Sequence, residues 1–251
     1  MKAVSLKPRV PTMRLLAVKA LKTLRISKIA HRLYYRHVHG FATSSPYVLP
    51  ALDRVLDRIK SHGTVGDYLE FGLFKGYAFW HAQHGAQQRG LDQMRFFGFD
   101  SFAGLPEPQG IDRSPLQDFY QGQYNCSKEA VTRNLDSKGV DWTKTFLIEG
   151  YYDKSLTPEL RQQHNLDRAA VVLIDCDLYE SSRDALAFIA PLVDDGTIVL
   201  FDDWDAFRAD DNKGERRAFR EFRRAHPELE AEEWFAYGHY SRVFVLHRRS
   251  A

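Results

Sequence analysis

The sequence predicts an α/β fold built around a mostly parallel sheet. Short apolar runs alternate with helical patterns along residues 67–201, which is typical of parallel βαβ units. Five of these runs are predicted to be strands: Asp67–Phe71, Arg95–Phe99, Lys144–Ile148, Ala170–Ile174 and Thr197–Phe201. Two later runs, Trp234–Tyr237 and Val243–His247, predict a closing antiparallel pair joined by residues 238–241. The result is a sheet of seven strands with an antiparallel last strand.

Helical patterns separate the predicted strands. The predicted helices are Phe74–Gln88, Lys128–Leu135, Ser181–Leu192 and Gly214–Ala225. We expect Ser127 to cap the second of these, because serine oxygens accept the free N–H groups of a helix start. The stretch Ala103–Tyr124 is rich in Gly, Pro and Gln and predicts one long irregular loop, where binding surfaces often lie.

The composition restricts the class of protein. The chain has 251 residues, 44% hydrophobic and 27% charged, which suits a globular protein of one large domain with at most a modest appendage. It has no uncharged apolar run of the length that a membrane span needs, so we expect no transmembrane segment. Two cysteines, Cys126 and Cys176, cannot form a disulfide framework, and a cytoplasmic location is the expectation.

The net charge of +2 is the sum of two unlike parts. Residues 1–52 hold ten Lys or Arg and no Asp or Glu, which leaves 25 bases against 33 acids in residues 53–251, a balance of −8. Strong helix formers fill the basic part, and Pro11 stands just before them. We therefore predict a basic helical N-terminal arm or lid over residues 1–60, followed by the α/β domain over residues 61–251.

Carboxylates stand at the ends of the predicted parallel strands. Ligands of such sheets bind outside the carboxyl ends of the strands. Acidic residues also favour strand-end turns and helix caps, so a single one is weak evidence for a site. Carboxylates at five strand ends, however, repel each other unless donors or a metal ion absorb the charge, and together they favour a site. They are Glu70, Asp100, Glu149, Asp175, Asp177, Asp202 and Asp203.

The turn after the first strand, Glu70–Gly76, has glycines at positions 72 and 76. These let the backbone approach a ligand, and the helix start supplies free N–H groups. The turn lacks the Gly-x-Gly-x-x-Gly pattern of dinucleotide enzymes, and its acidic residue suits a cationic ligand better than a phosphate. Asp100, at the second strand end, is placed to accept hydrogen bonds from ribose hydroxyls. The pattern favours an adenosine-bearing ligand without a phosphate.

A second acidic group predicts a cation site. Asp175 and Asp177 follow the fourth strand, and Asp202 and Asp203 follow the fifth, which should lie beside it. Hard oxygen ligands on rigid strand ends suit Mg²⁺. The alternative is a helix-capping acid together with an acid paired to an arginine such as Arg183.

Four motifs carry a family resemblance: Glu70–Gly76, Gly98–Pro106, Ile174–Ser182 and Gly196–Asp203. Together they resemble the macrocin O-methyltransferase family, class I S-adenosylmethionine-dependent enzymes that act on sugar hydroxyls. The resemblance covers about residues 60–225 and implies the Rossmann-like class I methyltransferase fold, with S-adenosylmethionine and Mg²⁺ as cofactors. It also implies a saccharide or glycosylated natural product as acceptor. No nucleic acid is expected, and a homo-oligomer is compatible with the sequence.

The resemblance also assigns roles to individual residues. It implies that Asp177 is the general base, which deprotonates the acceptor hydroxyl as the sulfonium methyl group is transferred with the help of Mg²⁺. The implied metal ligands are Asp175, Asp202 and Asp203. The implied cofactor-binding residues are Glu70, Phe71, Gly72, Gly76, Asp100, Ser101, Phe102, Gly150, Tyr151 and Asp175.

Two other functions remain open from the residues. Tyr124 and Lys128 match the Tyr-x-x-x-Lys pair of NAD(P)-dependent short-chain dehydrogenases, but they precede the third strand and span a predicted helix start. That function also leaves the aspartate pair at 202–203 unexplained. The other alternative is a non-catalytic cofactor-binding scaffold whose basic arm holds a membrane or an acidic partner, and it requires a damaged site.

Overall fold

The computed structural model describes residues 40–42, 45–113 and 119–249. The seven strands of its sheet have the order β3-β2-β1-β4-β5-β7-β6. Strands β1 to β5 are parallel, and β7 lies antiparallel between β5 and β6. Their bounds are β1 Asp67–Phe71, β2 Phe96–Asp100, β3 Thr145–Glu149, β4 Ala169–Ile174, β5 Val193–Phe201, β6 Leu229–Tyr237 and β7 Ser241–Arg248. The predicted α/β fold with its antiparallel last strand is confirmed.

Strands β5, β6 and β7 are longer than predicted, and β6 begins at Leu229 instead of Trp234. The fifth strand is predicted to begin at Thr197, but β5 begins four residues earlier, at Val193. Val193 pairs with Ala169 of β4, and the register shifts between Ala169 and Val171. This shift in register accommodates the extra residues of β5, so Asp194, Asp195 and Gly196 are part of the strand.

Seven α-helices cover the sheet within the described residues. Their bounds are α1 Val48–His62, α2 Tyr77–Gln88, α3 Lys128–Asp136, α4 Tyr152–Ser155, α5 Pro158–Gln163, α6 Tyr179–Ile189 and α7 Gly214–Ala225. Ser127 caps α3 as predicted, since its side chain accepts the N–H of Ala130. None of the helices in the described part of the chain is both long enough and apolar enough to cross a membrane.

Helix α2 starts three residues later than predicted. Phe74 and Gly76 both have left-handed backbone angles, with φ of 50° and 80°. A residue with such an angle cannot continue a right-handed helix. The residues before Tyr77 therefore form a turn, which is the segment that the glycines predicted.

Two apolar layers lie on the two faces of the sheet. Strand β4 shows how the faces divide, because Val171 and Leu173 join the core under α1, α2 and α3, whereas Val172 and Ile174 face the opposite core. Helix α1, which the sequence did not predict as a core helix, buries Leu52, Val55 and other apolar residues along one side. The compact unit containing the sheet begins at Phe41. Residues 1–39 and 43–44 of the predicted basic arm lie outside the described residues.

Candidate active site

Backbone hydrogen bonds bring the carboxyl ends of neighbouring strands together. The N–H of Asp175 donates to the Phe71 carbonyl at 2.9 Å, and the N–H of Asp202 donates to the Ile174 carbonyl at 3.0 Å. The N–H of Gly72 donates to the Phe99 carbonyl at 3.0 Å. The residues that follow β1, β2, β4 and β5 therefore share one edge of the sheet, as the sequence predicted for them.

Gly72 is required by this close approach of strands. Its φ is +95°, and a Cβ added there would lie 1.8 Å from the carbonyl oxygen of Asp175. Any side chain at this position would push the β1 turn away from the end of β4. Gly72 thus fixes where Asp175 lies, a structural role beside the predicted approach to a cofactor.

Asp100 organises the glycine turn. Its Oδ2 accepts the N–H groups of Leu73 at 2.7 Å and Phe74 at 3.2 Å, and its Oδ1 accepts the N–H of Phe102 at 2.7 Å. Burial raises the pKa of Asp100, and these backbone N–H groups oppose that shift. The sequence predicted a ribose acceptor here, and the structure adds that Asp100 ties the β1 turn to the end of β2.

The segment after Asp100 forms a tight, internally bonded turn. The Ser101 hydroxyl donates to the Gly104 carbonyl at 2.8 Å, and the ring of Phe102 is buried. A Cβ on Gly104 would lie 2.4 Å from the carbonyl oxygen of Gln123, so the two ends of the long loop meet here. The first and last residues of the long loop therefore lie side by side at the strand-end edge.

Glu70 is covered by protein. It is 1% exposed and accepts a short hydrogen bond from the Tyr68 hydroxyl. Burial raises its pKa to about 8, and the carboxylates of Asp100 and Asp202 add to the shift. Since the side chain is covered, its effect on a cationic ligand is electrostatic. The neighbouring Phe71 ring stacks on Phe99 in the core, with ring centres 4.7 Å apart, so its side chain faces away from the strand-end edge.

Of the other predicted cofactor-binding residues, Gly76 and Gly150 make contacts within the protein, whereas Tyr151 is exposed. A Cβ on Gly76 would lie 3.2 Å from side-chain carbons of Val131 and Leu135, so this glycine lets α2 pack closely on α3. The N–H of Gly150 donates to the Asp100 carbonyl at 3.0 Å, which holds the end of β3 beside β2. Tyr151 is 38% exposed and available to a ligand.

Asp175 and Asp202 lie in one electrostatic cluster. Burial raises the pKa of Asp175 well above its ordinary value, and the charges of Asp202 and Asp203 raise it further. Burial also raises the pKa of Asp202, although hydroxyl donors oppose that shift. Those donors include Ser45 at 3.0 Å and Ser241 at 3.3 Å from Asp202 Oδ1. The electrostatic cluster thus includes the three residues that were predicted as metal ligands.

Asp177 stands on the same edge in an unusual backbone conformation. Its φ is +60°, a left-handed angle that costs a non-glycine residue energy and that often occurs at functional sites. Leu178 separates Asp177 from helix α6, whose first N–H groups are capped by another acid. That acid is Asp112, which accepts the N–H groups of Tyr179 at 2.7 Å and Glu180 at 3.2 Å.

Sequence reasoning missed Asp112 and one further acid, Glu215. Glu215 lies in the first turn of α7 and is 0% exposed. Its Oε2 accepts the N–H of Asp203 at 3.0 Å. Asp112 bonds a residue 67 positions later, and Glu215 bonds a residue 12 positions earlier. In the sequence alone, Asp112 is an acid in the irregular loop and Glu215 an acid at a predicted helix start.

The donor chemistry of this edge fits a hard divalent cation. Burial and then the charges of neighbouring carboxylates raise the pKa of Asp175 and of Glu215, and the Oε1 atom of Glu215 is buried without a hydrogen-bond partner in the described residues. Mg²⁺ prefers such oxygen ligands. Across residues 40–42, 45–113 and 119–249, however, no three His, Cys, Asp or Glu side chains are placed to hold one ion together. Coordination by three of them therefore requires side-chain movement.

Comparison with known proteins gives several matches. Residues 46–234 match the macrocin-O-methyltransferase (TylF) family. The chain is 26% identical over 160 residues to the 8-demethyl-8-(2,3-dimethoxy-α-L-rhamnosyl)-tetracenomycin-C 4′-O-methyltransferase of Streptomyces olivaceus. That match spans 62% of this chain and 59% of the relative, which is less than two thirds of the relative's length.

Solved structures share the fold. The O-methyltransferase NovP superposes with a TM-score of 0.66 at 21% identity, covering 80% of this chain and 79% of NovP. CalS11, a calicheamicin methyltransferase, gives a TM-score of 0.63 at 19% identity, covering 98% of each chain. The family match extends over most of the sequence and includes all the motifs on which the resemblance rested. The chain therefore belongs to the macrocin-O-methyltransferase family of methyltransferases.

Proposed function

We propose that this protein transfers the methyl group of S-adenosylmethionine to a hydroxyl of a sugar carried by a natural product. The observation that carries the proposal is the shared strand-end edge that gathers the glycine turn, Asp100 and the acidic cluster in a chain of this family. The relative from Streptomyces olivaceus supports the acceptor class, since its name describes methylation of a rhamnosyl group.

The chemical step is a single displacement. A bond forms between the acceptor oxygen and the methyl carbon, the sulfur–methyl bond breaks, and the products are S-adenosylhomocysteine and a methyl ether. We assign the acceptor proton to Asp177, whose carboxylate is the general base. Alignment of the two substrates supplies much of the acceleration in such reactions.

The cofactor would lie over the glycine turn and the ends of β1 and β2. We assign the methionine part to the turn around Gly72 and the ribose and adenine part to the Asp100–Phe102 segment, with Tyr151 at its edge. Burial raises the pKa of Glu70 to about 8, and a bound sulfonium cation would favour its ionised form, whose negative charge in turn favours the sulfonium over the neutral product. The donor chemistry of this edge therefore suits a cationic ligand.

Asp175, Asp202 and Asp203 would hold the Mg²⁺. Their carboxylates repel one another in the absence of a cation, which supports the assignment. When bound, a divalent cation lowers the pKa of a hydroxyl and orients it. The protein contributes the fixed strand ends, and the Ser45 and Ser241 hydroxyls orient Asp202.

The acceptor side lies beside Asp202. Ser45 and Ser241 contact Asp202, and aromatic residues within two positions of them in the chain are exposed: Tyr47 at 43% and Tyr240 at 54%. Apolar ring faces beside a few polar groups are typical of small-molecule sites. We assign these rings to acceptor binding.

Cys126 and Cys176 are both free thiols, which supports a reducing, cytoplasmic setting.

Substitution of Asp177 tests the proposed chemistry. Asp177→Asn keeps the shape of the side chain but removes the base, so we expect turnover on a rhamnosylated acceptor to fall by about 10²- to 10⁴-fold. Binding of S-adenosylhomocysteine, measured by calorimetry, should be unchanged. Asp184→Asn, on helix α6 and paired with Arg183, is the matched control and should keep full turnover. Normal turnover by Asp177→Asn would remove this residue as the base.

A further inference from the structure

Glu215 is a buried carboxylate with half of its hydrogen-bonding capacity unused. It is 0% exposed, and Oε2 accepts the N–H of Asp203 at 3.0 Å. Its other oxygen, Oε1, is also buried and has no hydrogen-bond partner in the described part of the chain. Burying a carboxylate oxygen without a hydrogen-bond partner reduces the stability of the folded protein. Such a group in a native protein therefore usually has a functional role.

Basic residues near Glu215 do not compensate its charge. Arg216 pairs with Asp205 at 2.8 Å and with Asp211 at 2.6 Å, and Arg217 pairs with Glu221 at 2.8 Å. The charges that act most strongly on Glu215 are instead those of Asp203, Asp202, Asp175 and Asp177, and all of them are negative. The helix start contributes only about 0.3–1 kcal/mol to an anion. What this group lacks is a cation.

The backbone around Glu215 is built to bring it to the cluster. Gly214 has a φ of +49°, and a Cβ there would lie 2.6 Å from the Phe207 ring. Only a glycine lets the first turn of α7 press this closely against that ring. The placement of Glu215 behind Asp203 therefore depends on a specific local fit.

We infer that Glu215 is a positioning residue of the cation site. Through its Oε2 it holds the backbone of the Asp202-Asp203 pair, and through its Oε1 it adds a buried negative charge behind that pair. The inference rests on the proposed function, because it assumes that a divalent cation binds to these aspartates. Outer residues that orient metal ligands typically change metal affinity by about 10- to 100-fold when they are substituted.

The test is Glu215→Gln in the full-length chain, saturated with S-adenosylhomocysteine and titrated with Mg²⁺ by calorimetry. Glutamine keeps an oxygen that accepts the Asp203 N–H, removes the charge and replaces the other oxygen with an NH₂ group of similar size. We expect Mg²⁺ affinity to fall by about 10- to 100-fold. In thermal unfolding, the Tm of the metal-free variant should equal or exceed that of the wild type, and its rise on adding Mg²⁺ should be smaller.

The matched control is Glu159→Gln, which removes a first-turn glutamate from the exposed start of α5. It should match the wild type in both measurements. Equal Mg²⁺ binding by the wild type and Glu215→Gln would overturn the inference alone. A metal-free Tm lowered by Glu215→Gln would overturn it in favour of a purely structural role. Absence of Mg²⁺ binding to the wild type would overturn the metal part of the proposed function and this inference with it.

Discussion

Glu70→Gln separates the charge of this buried glutamate from its shape. Glutamine fills the same volume and still offers an oxygen to the Tyr68 hydroxyl. It corresponds to a glutamate that is permanently neutral. Any difference between wild type and variant that grows with pH therefore reports the ionisation of Glu70.

The magnitude follows from the pKa shift. Burial raises the pKa of Glu70 from 4.5 to about 8 in the folded protein. A group whose pKa is raised on folding stabilises the protein at low pH, and this stabilisation is lost as pH rises through the interval between the two values. For Glu70 the loss is on the order of 3 kcal/mol between about pH 5.5 and about pH 8.5.

The assay is urea unfolding of both proteins across that pH range, without ligands. The free energy of unfolding of the wild type should fall relative to that of Glu70→Gln as pH rises. Glu232→Gln, on the exposed face of β6, should follow the wild type. A constant difference between wild type and Glu70→Gln would refute the claim that folding raises the pKa of Glu70.

Two further predictions concern residues that build the edge of the site. Gly72→Ala places a Cβ 1.8 Å from the Asp175 carbonyl oxygen, whereas Gly139→Ala has a similarly left-handed φ of +71° but no atom within 4 Å. Gly139→Ala should cost about 1 kcal/mol of unfolding free energy and keep activity. Gly72→Ala should cost several times more and lose activity. If urea unfolding showed equal losses for the two variants, the strand ends would not depend on the contact at Gly72. Asp112→Ala removes both capping bonds from α6 and should cost about 1–2 kcal/mol, whereas Asp112→Asn should cost less. Urea unfolding of these two variants checks the cap, and an unchanged midpoint for Asp112→Ala would contradict it.

The sheet was readable from the sequence for a physical reason. Strands β2 and β4 are buried on both faces and consist almost entirely of apolar residues, so they stand out between helical patterns. Strand β1 is equally buried, although Asp67 and Glu70 interrupt its apolar residues. The short helices α4 and α5 have no buried residues and carry no such periodic signal. The irregular pairing of Val193 with Ala169 depends on a neighbouring strand, which no local pattern reveals.

Part of the candidate site could be predicted from the sequence for a related reason. Asp175, Asp177, Asp202 and Asp203 directly follow strands, so predicting the strands also predicted that these acids share an edge. Glu215 and Asp112 reach the same edge from a helix start and a loop, and only the tertiary structure brings them there. Likewise, only the contacts between strands show that Asp100 accepts backbone N–H groups of the β1 turn and that Gly72 lies against the Asp175 carbonyl.

Calorimetric titration of the full-length protein with S-adenosylhomocysteine tests the central claim most directly. The account predicts saturable binding of about one S-adenosylhomocysteine per chain, and no heat of binding with NADPH in the same cell. Binding of NADPH without S-adenosylhomocysteine, or of neither, would contradict the assignment of the strand-end edge to a methyl donor.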